Sequence, residues 1–249
     1  MSIMTPNRGF WGATAGGAFT PTDISGLRVW LDASDISTLW QDSARTTAVA
    51  SDADPVGAWD DKSGNDYHIL QATSSKRGEY KTSVQNSLDI VRFDGTDDAI
   101  RNSSEPPEAS QPNTMAAVFK MTSSTAAYHH AIDSGTTVKR QIMGSSNTEN
   151  WNIYSGAFLA NGANNTTTFH LWYGEYNSSS SIFRMDKSEV ASGDAGSQAA
   201  TGLNVGSAFS GTASNFNGDF CEIILYDSAL SDGDRDSLET YLEDKWATG

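Results

Sequence analysis

The sequence predicts an all-β, two-sheet antiparallel jelly-roll sandwich, preceded by an extended N-terminal arm and followed by one short C-terminal helix. Three observations predict it. From residue 27 onward, short stretches alternate apolar and polar residues, the pattern of half-buried strands. Each is bounded by a cluster of Gly, Asn, Asp or Ser, the residues that turns require. Only one segment repeats apolar residues at helical spacing, and many short strands with few helix periods point to a sandwich or jelly roll.

Taken in order, residues 1–26 hold five glycines and two prolines around Phe10, Trp11 and Phe19. Such a mixture builds no regular element but lays aromatics on a neighbour, so these three residues are the expected partner contacts of an anchoring arm. Residues 27–249 form the expected sandwich domain. Its first strand is "GLRVWLDA", with Leu27, Val29 and Leu31 on one face. Further strands are expected at 88–95, 114–121, 139–144, 150–156, 168–176, 181–186, 202–208 and 218–227. In the last, "GDFCEIILYD", strict alternation puts Phe220, Glu222, Ile224 and Tyr226 on one face and Cys221, Ile223 and Leu225 on the other. The helix is "LSDGDRDSLETYLEDKW", where Leu238, Tyr241, Leu242 and Lys245/Trp246 recur at three and four. Ser231 is its N-cap, Asp232, Asp234 and Asp236 suit the positive end of its dipole, and Lys245 suits the other. It is expected to close an edge or end of the sandwich.

Bulk properties exclude several functions. The formal charge of −15, from 31 acidic and 16 basic residues, repels nucleic-acid backbones and anionic lipid surfaces. A single cysteine, Cys221, rules out an intrachain disulfide and a Cys-rich zinc site. No apolar run reaches the length of a membrane span, and the first residues lack a signal peptide's basic and apolar regions, so synthesis in the cytoplasm is expected.

Four groups of residues invite a chemical reading. In "VWLDASD", Asp32 and Asp35 stand three apart, which in a strand points them to opposite faces; Asp32 is expected to accept backbone N–H bonds and Asp35 to begin a loop. In "WDDKSGND" and "FDGTDD", Asp60, Asp61, Asp66, Asp94, Asp97 and Asp98 crowd turns at Gly64 and Gly95. Of these, Asp60, Asp61, Asp94, Asp97 and Asp98 are candidate oxygen ligands for Ca²⁺, with ordinary turn formation as the alternative. Trp59, Trp151, Tyr154 and Trp172 are candidate platforms for stacking on sugar rings, with core packing as the alternative. The histidines, His68, His129, His130 and His170, show no HxH or HExxH spacing, and no GxSxG is present.

The phrases "GLRVWLDASD", "VGAWDDKSGN", "VRFDGTDD" and "FNGDFCEIILYDSALSDGDRDSLETYLEDKW" together resemble the LamG-like jelly-roll domains of the concanavalin A-like lectin/glucanase superfamily, in the version found in bacteriophage structural proteins. The resemblance covers residues 24–247 and implies a concanavalin A-like fold, often with bound sugar or Ca²⁺. The Glu-x-Asp-x-x-Glu motif of the superfamily's glycosidases and the Gln-Ile-His phrase of its alginate lyases are missing. The resemblance therefore implies a noncatalytic virion structural protein: a capsid decoration, fibre or tail accessory that is homo-oligomeric, held to other capsid or tail proteins by its arm, and able to display its lectin-like domain to host-surface glycans. The alternatives are a carbohydrate-binding module of a cell or secreted particle, and a glycan hydrolase or lyase.

Overall fold

A computed structural model describes residues 18–102, 110–122, 128–134, 140–145, 150–160, 167–209 and 213–248. Phe10 and Trp11 lie outside the described residues. The strands are β1 (Leu27–Asp32), β2 (Leu39–Trp40), β3 (Pro55–Val56), β4 (Ala58–Trp59), β5 (Ile69–Leu70) and β6 (Gly78–Gln85). Next come β7 (Leu88–Asp94), β8 (Ile100–Asn102), β9 (Asn113–Met121), β10 (His129–Asp133), β11 (Ile142–Ser145) and β12 (Trp151–Tyr154). The last are β13 (Phe158–Ala160), β14 (His170–Tyr176), β15 (Ser181–Met185), β16 (Ser188–Gly193), β17 (Leu203–Val205) and β18 (Asn217–Tyr226), before helix α1 (Asp232–Trp246).

Two antiparallel sheets face each other, as the sequence predicts. The first runs β16-β15-β14-β9-β18-β7-β6-β3, with β1 also paired to β18; the second runs β13-β12-β11-β10-β17-β8-β5-β4-β2. Alternation sends Met115, Ala117, Phe119 and Met121 of β9 into the core between the sheets, where they meet Met143, Ile153, Leu203 and Val205 of the second sheet. The opposite face of β9 is apolar too. Ala116 and Val118 join Leu171, Ile224, Leu238, Leu242 and Trp246 in a second buried cluster beneath α1.

The helix thus lies across the outer face of the first sheet, not at an edge or end as expected. The reason is that its buried stripe of Leu238, Leu242 and Trp246 finds a matching apolar surface there. Ser231 caps its start by accepting from the Asp234 amide at 3.1 Å. At its end, Ala247 adopts the left-handed conformation with φ 49°, and the carbonyl of Lys245 accepts from Asn86 Nδ2 at 2.9 Å. Arg184 fastens the middle through Glu239, with Nε–Oε1 at 2.7 Å and Nη2–Oε2 at 3.0 Å.

A β-bulge in β18 decides the rest of the anchorage. The register against β9 slips between Phe220 and Glu222, so Cys221 and Glu222 both turn toward α1 while Phe220 enters the intersheet core. Strict alternation had placed Phe220 with Glu222, and the inserted residue is what overturns it. Glu222, wholly buried, accepts from Trp30 Nε1 at 2.6 Å, Tyr241 Oη at 2.8 Å, Lys245 Nζ at 2.8 Å and Trp246 Nε1 at 2.7 Å. Lys245 also meets Asp32 at 2.8 Å, and Lys62 bridges Asp32 and Asp35 at 2.9 Å each. Burial and the Asp32 charge push the Glu222 carboxyl up. Burial acts the same way on Asp32, but Lys245 and the bonds from Lys245, Ser34 and Lys62 outweigh it and hold that carboxyl below its ordinary range.

Candidate functional site

Among the described residues no helix covers the outer face of the second sheet, and strand register shows what it presents. Phe158 pairs with Tyr154, Tyr154 with Ile142, Ile142 with Asp133, Asp133 with Asn204, Asn204 with Arg101 and Arg101 with Leu70. Direct partners share a face, and the flanking residues Ile132, Met143, Ile153, Val205 and Ile100 all enter the core. This row therefore faces outward. Next to it run His130, Gly144, Asn152 and Ala160.

The two parts of this face differ in character. At one edge, Tyr154 and Phe158 form a tilted aromatic pair with ring centroids 4.8 Å apart, and Phe158 is 59% exposed. The centre is polar and buried. Asp133, with no exposure, accepts from Arg140 Nη2 at 2.9 Å, lies 3.0 Å from His130 Nδ1 and receives the Phe209 amide at 2.9 Å. Arg140 in turn sits over the Phe209 ring at 5.2 Å. Asn204 donates from Nδ2 to the Ser134 carbonyl at 3.3 Å, while its buried Oδ1 receives no hydrogen bond. A buried acceptor left without a donor costs about 1–3 kcal/mol, and at 1% exposure Asn204 is enclosed beneath the outer surface of the face.

The expected platforms fall elsewhere. Trp59, Trp151 and Trp172 are at most 1% exposed and lie in the intersheet core, so they pack and do not present a stacking surface. Trp151 and Trp172 rest against each other at 4.5 Å, with Phe119 at 5.2 and 5.6 Å. Of the four, Tyr154 alone reaches the outer face. The residues that sequence reasoning missed are His130, Asp133, Arg140, Asn204 and Phe158. Asp133 closes the strand phrase "HHAID", which does not alternate because the register shifts between His130 and Ile132, so its outward position left no periodic signal.

The expected ligand set divides. Asp60 accepts from Trp40 Nε1 at 2.8 Å and Arg45 Nη1 at 3.1 Å, and Asp61 accepts from the amides of Trp30 at 2.8 Å, Ser63 at 2.9 Å and Tyr67 at 3.1 Å. Both are therefore occupied in holding loops. Asp94, Asp97 and Asp98 come together, with carboxylate oxygens within 4.8 Å of one another, an oxygen-only donor set of the kind hard cations take. Phe19, the described member of the expected partner contacts, packs edge-on against Tyr241 of its own chain at 5.8 Å.

Within that cluster, burial and the charges of Asp94, Asp97 and Glu79 push the Asp98 carboxyl up to about 6, against a hydrogen bond from the Asp94 amide that favours ionisation. A carboxyl raised above its unfolded value near 3.8 makes the folded state bind more protons between about pH 4 and 6, so its contribution to stability declines as pH rises through that window. Asp98→Asn keeps an oxygen for the Asp94 amide and removes the charge. We expect it to be more stable than the parent by about 1 kcal/mol at pH 7 after solvent screening, with the difference vanishing below pH 4. Thermal melts across pH 3.5–8 check this, and a parent-like profile refutes it.

No protein-family model matches the sequence, and no curated protein matches it either. Solved structures do match. A mutant of Trypanosoma rangeli sialidase displaying trans-sialidase activity superposes with a TM-score of 0.55 at 10% identity, over 90% of this chain and 34% of that one. Trypanosoma rangeli sialidase in complex with sialic acid gives 0.54 at 10%, with the same coverage of 90% and 34%. Domain 4 of AbnA, a GH43 extracellular arabinanase from Geobacillus stearothermophilus, in complex with arabinotriose, gives 0.54 at 13% over 75% of this chain and 99% of that one. The chain thus spans about a third of the length of the sialidase chains it matches, 34%. These superpositions, at such low identity, establish a shared fold and no more than that. That fold corrects the expectation that the chain is not an enzyme, because it belongs to sialidase chains and to a domain of an arabinanase.

Proposed function

We propose that this chain recognises carbohydrate on the outer face of its second sheet. The observation that carries the reading is the row Phe158–Tyr154–Ile142–Asp133–Asn204–Arg101, which sets an aromatic pair beside a polar floor on one sheet face. A sugar offers an apolar ring face and a rim of hydroxyls, and the edge of the row offers the exposed Phe158 ring for the first and the phenol of half-buried Tyr154 for the second. Support comes from the arabinanase domain, a unit of similar extent that was solved with arabinotriose. The virion setting, also proposed, rests on the sequence resemblance alone. The proposed calcium ion would be held by Asp94, Asp97 and Asp98 and would offset the charge that raises Asp98.

A glycan array followed by calorimetric titration of the best ligand tests the proposal. Tyr154→Ala and Phe158→Ala are each expected to weaken binding about tenfold, the size of one lost aromatic contact. A flat array, or affinity untouched by both substitutions, would end the proposal.

A further inference from the structure

A groove of about 760 Å³ runs along α1, lined among others by Ala18, Phe19, Asp236, Thr240, Tyr241 and Lys245. The helix residues in it fall in two neighbouring rows, 236/240/244 and 237/241/245, so the groove follows one stripe of the helix surface. Its apolar wall is the Phe19–Tyr241 ring pair. Its rim is acidic. Asp236 and Asp244 are exposed, while the ammonium of Lys245 is drawn inward to Asp32 and Glu222 at 2.8 Å each.

The chain outside the described residues at this end is 17 residues long and joins the described part at Ala18, in the groove itself. It carries one charged side chain, Arg8, followed by Gly9, Phe10 and Trp11 and then the six residues "GATAGG". We propose that the groove seats residues 8–11 of the same chain, with Phe10 and Trp11 against the Phe19–Tyr241 rings and Arg8 at Asp236 and Asp244.

Length, charge and concentration all favour this occupant. Six linking residues reach at most roughly 20 Å, whereas the helix rises only about 14 Å from residue 236 to 245. The linker holds glycine and small residues, so it bends without steric penalty. A segment tethered this closely acts at an effective concentration in the millimolar range, which places it ahead of the same segment on a second copy. The guanidinium adds the charge that the acidic rim lacks.

Limited trypsin digestion of the full chain tests the assignment by the rate of cleavage after Arg8, followed by mass spectrometry. Two variants are compared with the parent: Phe10→Ala/Trp11→Ala, and Thr240→Trp, which fills the groove from an exposed helix position. Cleavage about tenfold faster in both is expected, because proteolysis tracks the undocked population. Equal rates in all three proteins overturn the proposal. Sedimentation velocity is run alongside, and an oligomer that dissociates on Phe10→Ala/Trp11→Ala overturns it as well, by assigning the groove to the arm of a second copy.

Discussion

Glu222→Ala is expected to destabilise the protein by about 3–5 kcal/mol and to lower the melting temperature by roughly 10 °C or more. Glu222 has no exposed surface, and four donors converge on it from β1 and α1. Removing it leaves the indole N–H groups of Trp30 and Trp246 and the Tyr241 hydroxyl without their acceptor, in a place water does not reach. Lys245 keeps Asp32, so the ammonium is not abandoned, and the loss is mainly of hydrogen bonds that hold the helix to the sheet. The companion Lys245→Met separates charge from shape. It leaves Glu222 and Asp32 as neighbouring buried acids, which raises the Glu222 carboxyl further and removes the Lys245 charge that does most to lower Asp32. Groups with raised carboxyls stabilise best when protonated, so Lys245→Met is expected to lose least near pH 4 and progressively more as pH rises. Melts followed by circular dichroism at pH 4 and 7 check both. A parent-like melting temperature for Glu222→Ala would mean that the helix is held by its apolar stripe alone.

The same corner of the molecule shows what the sequence discloses and what it conceals. Strands β7, β9, β14 and β18 were legible because each is a largely apolar run of seven or more residues bounded by turn residues, which the eight-residue but mostly polar β6 is not. The two-residue strands β2 to β5 were not, because two residues carry no alternation. The helix was legible as an amphipathic segment, but its seat was not, since its one apolar stripe fits any apolar surface of suitable width. A sign of that seat stood in β9, whose "MAAVF" is apolar at consecutive positions and so must be covered on both faces. Nothing in "GDFCEIIL" announces the bulge, because both registers bury apolar side chains; what selects the bulged one is the set of donors that Glu222 meets on α1 and β1.

Local and distant chemistry separate in the site residues as well. Asp94, Asp97 and Asp98 lie on one turn, so their proximity follows from sequence spacing. Asp60 and Asp61 look equivalent in sequence, yet their partners Trp40, Arg45 and the Trp30 amide lie 15 to 31 residues away. The polar row of the second sheet is further removed still. Asp133 and Asn204 become neighbours only once β10 and β17 pair, and that pairing depends on the core that forms beneath them.

Trp172→Ala is the complementary test, because it asks whether the tryptophans serve the fold or a ligand. Trp172 is 1% exposed and touches Trp151 at 4.5 Å, Phe119 at 5.6 Å and Phe183 at 5.8 Å. Truncation opens a cavity the size of an indole between the sheets and is expected to cost about 3–5 kcal/mol in guanidinium denaturation. Trp172→Phe should cost much less, because the ring that remains refills part of the space and the substitution removes an indole N–H that has no partner. Phe158→Ala, at a ring already 59% exposed, should leave stability nearly unchanged. If the sugar-binding face lies where Tyr154 and Phe158 place it, Trp172→Phe folds and binds glycan as the parent does, while Phe158→Ala folds and binds about tenfold more weakly. A stable Trp172→Phe protein that has lost binding would return the tryptophans to the ligand and refute the assignment of the outer face.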